Sequence, residues 1–397
     1  MIIEVLQQVT RRAFSFYRKI IIRAKVARRY SESRVDWKSF DFLVFRDQVL
    51  RFLRTLEISP GPPRYRYSLA CRQETLYASA YACMTRNMLG DLENLTLFEK
   101  AEWINYFDSF QNEEDGLFYD PVVRNDIYDD SDWWGARHLA LHMIAAYTAL
   151  DARPKHQFAF LKSYYSKSSI SSWLDAYDWN SKELGLADPD NKIMNIGCLL
   201  QYQRDAWGDE SAGMAVQYLK DYLLCKVNPK TGMWGGFDPD DPKSRSRMVQ
   251  FAYHLFPIFF YDGEFPFDAE KIVRITLATQ NKLGGFGISL NSSACEDIDS
   301  IDILIRCHSY ASTDLQSRIT SSLTKAFSWV IVNQVEDGGF VFRLNETFRY
   351  GSEETSSDAD QGAALPTWFR ILSIAYMARF FGLKNNFYLI NRPGYEL

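Results

Sequence analysis

No run of 18 or more apolar residues occurs anywhere in the 397 residues, so nothing in the sequence is long and apolar enough to span a bilayer as a helix. Cysteine is scarce. The six (Cys71, Cys83, Cys198, Cys225, Cys295 and Cys307) include no CxxC pair and are too sparse for a disulfide framework. Most stand in apolar helical contexts, where a buried free thiol is expected. Five histidines with no HExxH give no reason to expect zinc, and nothing else in the sequence asks for a metal or a cofactor. The first residues lack the short basic region and apolar core of a secretory signal, so the expected location is cytoplasmic. No low-complexity linker divides the chain.

Charge and aromatic content are what the sequence has in unusual measure. The net charge of -5 is unevenly placed: residues 1–34 carry nine Lys/Arg against Glu4 and Glu32, which leaves about +7 there and an acidic remainder. An acidic body argues against nucleic acid as a partner. Phe14, Phe16, Tyr17, Ile20, Ile21, Ile22 and Val26 lie among the basic residues and on a helix form an apolar strip flanked by cations. That strip, within residues 11–29, suits either a peripheral contact with an anionic membrane or a helix packed across the body. Phe, Tyr and Trp make up 15% of the chain and persist along its length, which suits an aromatic core or a cavity walled by rings.

From residue 41 onward helical stretches recur in pairs, six units of about 55 residues. One member of each pair, near 41–57, 98–110, 157–175, 209–226, 268–280 and 317–333, is amphipathic: Val49, Leu50, Phe52, Leu53 and Leu56 fall at helical spacing with charges between them. The other, near 68–88, 132–150, 191–204, 246–261, 299–311 and 363–381, is apolar on most sides, as in His138-Leu-Ala-Leu-His-Met-Ile-Ala-Ala-Tyr147, and a helix apolar all round is one buried all round. Six one-faced outer helices alternating with six enclosed inner ones predict an all-α (α/α)6 toroid over residues 35–397, preceded by a basic amphipathic helix over 1–34.

The link from outer to inner helix repeats. It reads Gln111-Asn-Glu-Glu-Asp-Gly-Leu-Phe118, Asn228-Pro-Lys-Thr-Gly-Met-Trp234, Gln280-Asn-Lys-Leu-Gly-Gly-Phe286 and Gln334-Val-Glu-Asp-Gly-Gly-Phe340. The Gln can bond backbone groups left open at the helix end, the Gly permits the reversal, and the aromatic packs on the neighbouring unit.

On these residues the chain resembles the toroids of the terpenoid cyclase and protein prenyltransferase superfamily. Its squalene-cyclase members repeat a QW motif: basic, small, two residues, aromatic, aliphatic, three residues, Gln, two to five residues, Gly, one residue, Trp. Lys325, Ala326, Trp329, Val330, Gln334 and Gly338 fit it, with Phe340 in place of the Trp. Looser copies at Gln111, Asn228 and Gln280 extend the resemblance over roughly residues 98 to 382. Class II cyclases of that superfamily place a DxDD motif at the start of an inner helix, where an Asp protonates an alkene or epoxide. Incomplete versions stand at Asp130–Asp132, Asp297–Asp299 and Asp358–Asp360.

The resemblance therefore implies Asp132 and Asp130, or Asp299 and Asp297, as the catalytic acid and its neighbour. A carboxylic acid kept protonated needs a dry pocket and a nearby carboxyl, and Asp-x-Asp at a helix start can provide both. The same residues also make good N-caps and complement the helix dipole. Trp133, Trp134, His138, Arg306 and Trp368 are the expected substrate contacts. His142, four residues after His138, either shares the cavity or is a core histidine. Arg137, Arg306 and Arg370, on inner helices, need anionic partners. The expected activity is proton-initiated cyclisation of an isoprenoid-type substrate. A carbohydrate-active toroid and a non-catalytic binding toroid are the alternatives.

Overall fold

The computed structural model describes residues 2–59, 61–123, 134–383 and 387–395, and of residues 2–17 the backbone alone. Among them are thirteen α-helices: α1 (Ile2–Ser33), α2 (Phe42–Leu56), α3 (Leu76–Met88), α4 (Leu97–Asp108), α5 (Ala136–Ala149), α6 (Lys167–Leu174), α7 (Pro189–Trp207), α8 (Glu210–Cys225), α9 (Pro242–Phe260), α10 (Ala269–Leu277), α11 (Ala294–Cys307), α12 (Thr313–Val332) and α13 (Ala364–Phe380).

Six of these close a ring. α3 packs on α5, α5 on α7, α7 on α9, α9 on α11, α11 on α13, and α13 returns to α3. The sequence explains which helices take this place: His138 to Tyr147 of α5 and Ala364 to Ala378 of α13 are buried without interruption. The helices between them bury one face only, as α2 does with Phe45, Val49, Leu50, Phe52, Leu53 and Leu56. Burying one large apolar side chain contributes about 1.5–3 kcal/mol, so enclosure on all sides strongly selects the inner positions. The result is an (α/α)6 toroid. Three boundaries depart from the periodicity: the first inner helix starts at Leu76, eight residues later than expected, where Thr75 caps it. The third outer stretch is a 3-10 segment (Ala159–Tyr164) followed by the short α6, where Ser166 caps a new start in a serine-rich stretch of modest helix propensity. The fifth inner helix begins at Ala294, five residues earlier than expected, because Ser293 and Glu296 form a capping box there.

The repeated links behave as small clasps. Gln111 Nε2 donates to the carbonyls of Gly116 and His156 at 2.8 Å each, and Gln280 Nε2 to those of Gly284 and Ser322 at 2.8 and 2.9 Å. Gln334 repeats the bond to Gly338 at 3.0 Å. Phe118, Trp234, Phe286 and Phe340 are fully buried beneath them. Gly338 has φ +90°, and a Cβ there would meet the Gln48 carbonyl at 2.5 Å, so this turn requires glycine.

The last turns of α1 pack on α12. Val26 is fully buried, the rings of Tyr30 and Trp329 lie 6.4 Å apart, and Arg29 donates to the carbonyls of Val332 and Gln334 at the end of α12. A cation there satisfies open carbonyls and complements the helix dipole. Ile20 and Ile21 are exposed. The side chains of Phe14, Phe16 and Tyr17 lie outside the described residues. No helix among the described residues is long and apolar enough to cross a membrane.

Candidate functional site

The inner ring has two chemically distinct walls. Polar groups line the side formed by α7, α9 and α11, near the helix N-termini. Asp190, fully buried in the first turn of α7, accepts from both Nη atoms of Arg247 at 2.8 and 2.9 Å and meets His254 Nδ1 at 2.8 Å. Desolvation pushes the Asp190 carboxyl up, but His254 and Arg247 outweigh it and hold the group below the usual range. Two residues earlier Asp188 stands at the N-cap position of α7 with a left-handed backbone (φ 54°) and no capping bond, its Oδ2 buried without a hydrogen-bond partner among the described residues. Burial, and then the charge of Asp190, raise its carboxyl to about 6.

Asp299 faces the same region from α11. It is 4% exposed, and among the described residues its carboxyl has no hydrogen bond. Desolvation first, then the Glu296 carboxylate, push it well above the ordinary range; Arg247 opposes them only in part. Its neighbour Asp297 has a different environment. Oδ1 accepts from the Phe286 N–H and Ser292 Oγ at 2.8 Å each, while Oδ2 accepts from Trp329 Nε1 at 2.9 Å and from Arg370. Arg370 is wholly buried, and its other contacts are the carbonyls of Ser292 and Phe342 and the Asn333 side chain. Every lone-pair direction of Asp297 is thus engaged in joining a repeat clasp, an outer helix and an inner helix. The early start of α11 puts both acids inside the helix, with Ser293 as its cap.

The opposite wall, from α3, α5 and α13, is aromatic. Tyr77 stacks on Trp134 at 4.6 Å and on Tyr81 at 5.9 Å, Tyr81 stacks on Trp368 at 5.3 Å, and Tyr350 meets Trp134 edge-on at 5.1 Å. His138 contacts Tyr77 Oη at 2.9 Å, Tyr350 Oη at 2.8 Å and His142 at 3.1 Å. Burial lowers His138 to about 3 and His142 also falls well below its ordinary value, so both are neutral at pH 7. Among the described residues, the hydroxyls of Tyr67, Tyr81 and Tyr253 and the indole N–H groups of Trp134 and Trp368 are buried without a partner.

Of the residues expected from sequence, the structure gathers Trp134, His138 and Trp368 in this wall. Asp130, Asp132 and Trp133 lie outside the described residues. Arg306 stands in the last turn of α11, paired with Asp302 at 3.0 Å and over the Phe260 ring, away from the acid-bearing N-terminal end. Its position in the sequence marks an inner helix but not which end of it reaches the acids. Asp358 and Asp360 are exposed in the loop before α13. Asp188, Asp190, Arg247, His254 and the tyrosines were not singled out from the sequence. Asp188-Pro189-Asp190 is itself an Asp-x-Asp at an inner-helix start, so the same pattern would have found it. Among the described residues no group of three or more His, Cys, Asp or Glu is placed to hold a metal ion.

No protein-family model matches the chain, and no curated protein matches it. Solved structures do. An ent-copalyl diphosphate synthase from Streptomyces platensis aligns with 77% of this chain at 14% identity and TM-score 0.40; the chain spans half the length of that enzyme. A type II terpene cyclase from Scytonema, in complex with geranylgeranyl dihydroxybenzoate, aligns with 85% of this chain and 96% of its own at 10% identity and TM-score 0.45. An unsaturated glucuronyl hydrolase from Streptococcus agalactiae aligns with 88% of this chain and 94% of its own at 12% identity and TM-score 0.49. At these identities the likeness is one of fold.

Proposed function

We propose that this toroid is a class II cyclase-like enzyme in which Asp299 protonates a polyprenyl or meroterpenoid substrate. The observation that carries this reading is the Asp299 carboxyl itself: buried on an inner helix, raised by desolvation and Glu296, and without a hydrogen-bond partner among the described residues. A carboxylic acid in that state holds its proton to higher pH than an ordinary carboxyl and can donate it. The proton passes from the Asp299 carboxyl to one carbon of a terminal alkene, whose π electrons form the new C–H bond and leave a tertiary cation at the other carbon. Successive alkenes attack in turn, forming C–C bonds, until a proton is lost to a base. Arg247 offsets the charge left on Asp299, which solvent then reprotonates. The tyrosine and tryptophan faces of the opposite wall stabilise the migrating cation by their π density. The test is incubation with geranylgeranyl-type and squalene-type substrates, and cyclised product detected by mass spectrometry is expected. Unchanged substrate across that set counts against the reading.

A carbohydrate-active enzyme is the second reading, and Asp188 favours it: a carboxyl near 6 beside Asp190 suits a general acid at a polar mouth. Release of reducing ends from oligosaccharides, lost in Asp188→Asn, would select it. We also propose that residues 11–29 meet an anionic membrane, because Ile20 and Ile21 are exposed beside Arg18, Lys19 and Arg23. Cosedimentation with phosphatidylserine vesicles, weakening as salt is raised, is the expected result; equal recovery with neutral vesicles contradicts it.

A further inference from the structure

The segment following α13 reaches into the ring. Phe387 packs on Phe42 at 4.7 Å, and the Tyr388 N–H donates to the Met88 carbonyl at 3.0 Å, which anchors the strand at the ends of α2 and α3. It then crosses the mouth formed by the C-terminal ends of the inner helices. Asn391, Arg392 and Pro393 line a cavity of about 430 Å³ there, together with Tyr202 and the charged side chains of Asp151, Arg153 and Asp205. Arg392 to Tyr395 are buried. Gly394 threads between α5 and α7, where a Cβ would stand 3.1 Å from Leu141 and 3.9 Å from the Cys198 Cβ. Tyr395 stacks on His142 at 5.9 Å and meets Trp368 at 5.0 Å and Phe369 at 6.0 Å. This segment therefore occupies part of the aromatic wall.

The tail is buried but weakly fastened. Among the described residues, 389–395 make no backbone–backbone hydrogen bond. Arg392 is 3% exposed, yet among the described residues its bonded contacts are with the segment's own Pro393 carbonyl and Tyr395 ring, and its Nε and Nη2 have no partner. Asp151 and Asp205 line the same cavity, but among the described residues neither forms an ion pair with Arg392, and burial lowers its pKa to about 10. A buried cation outside any direct ion pair opposes the burial of the segment that carries it, and segments lacking backbone hydrogen bonds open first.

We propose that residues 391–395 are a displaceable plug in the ring interior, and that an elongated apolar ligand enters through the C-terminal mouth by expelling Tyr395 from the wall of His142, Trp368 and Phe369. The ligand class rests on the cyclase reading; the displacement does not. Tyr395 presents an apolar ring to the site, and the ligand's own apolar or unsaturated group takes that place. Binding then competes with the plugged state, so the apparent affinity scales with the fraction of open chains.

The geometry provides a lock. The Cβ separation of 3.9 Å between position 394 and Cys198 falls in the range of natural disulfides, so Gly394→Cys can be closed onto Cys198 with diamide and reopened with dithiothreitol. Retinol, a fluorescent isoprenoid alcohol, is the probe, and full-length protein is used throughout. The oxidised variant is expected to bind retinol at least about tenfold more weakly than the same protein reduced. Arg392→Met, which removes the buried, unbonded charge and keeps the bulk, is expected to tighten the plug, raising the unfolding temperature and weakening retinol binding together. This variant also serves if cysteine is not tolerated at the positive φ of Gly394. Equal affinities in the oxidised and reduced forms, or a more stable Arg392→Met with unchanged affinity, overturn the proposal. If retinol binds no form, the isoprenoid reading fails, and hydrogen exchange decides the plug alone. The amides of Gly394 and Tyr395 must exchange at least about a hundredfold faster than those of mid-α13, and equal protection overturns it.

Discussion

Replacing Asp297 with Ala is expected to lower the free energy of unfolding by about 3–5 kcal/mol, the range for breaking a buried ion pair from one side. The size of the effect comes from what is left behind. Arg370 is wholly buried, and without Asp297 its guanidinium keeps only the carbonyls of Ser292 and Phe342 and the Asn333 amide. The Phe286 N–H, Ser292 hydroxyl and Trp329 indole N–H lose their acceptor at the same time. Because the penalty lies in the orphaned charge, Asp297→Ala combined with Arg370→Met should recover much of the loss. Urea denaturation of the two single variants and the double variant measures this. A loss under about 1 kcal/mol in Asp297→Ala contradicts the role given to the pair.

Asp299→Asn is expected to do the reverse: to stabilise the protein at neutral pH while lowering cyclised product by about 10²–10⁴-fold, the usual weight of a general acid. The sign follows from linkage. An unfolded Asp titrates near about 3.9, whereas folded Asp299 titrates well above that, so between the two values the folded state binds more protons. Stability from this group is complete below the unfolded value and is lost as pH rises through the folded one. Asn removes that slope, and the unfolding temperature at pH 7–8 should rise relative to the wild type. Asp190, held below its ordinary value, works oppositely: its contribution is present at neutral pH and disappears on acidification. Turnover should fall as pH climbs past the folded value of Asp299. A variant that is both less stable and fully active contradicts the assignment.

The architecture was largely legible because burial leaves a one-dimensional trace. Helices such as α5 and α13 have no polar side, helices such as α2 have one, and their alternation leaves few arrangements other than a double ring. The Gln clasps were legible for the same reason, since both the requirement and the residue that meets it lie within a few positions. The site was not. Hydrophobic periodicity tells that a helix is enclosed but not which of its residues faces the axis, so Asp297 and Asp299 look alike in sequence although one is fully bonded and the other is not. The five-residue error at the start of α11 made both look like caps. Arg306 was placed by helix and not by height along it. Arg392 and Tyr395 escaped notice because a short segment with no period carries no signal that it will be buried.

Whether Asp299 is a neutral acid at pH 7 can be measured without any substrate. Infrared difference spectra between the wild type and Asp299→Asn, taken across a pH series, report the protonation state of this one side chain. The account predicts that the band missing from the variant at pH 7 is the C=O stretch of a protonated carboxyl, giving way to carboxylate only at higher pH. A carboxylate band at pH 7 would contradict it.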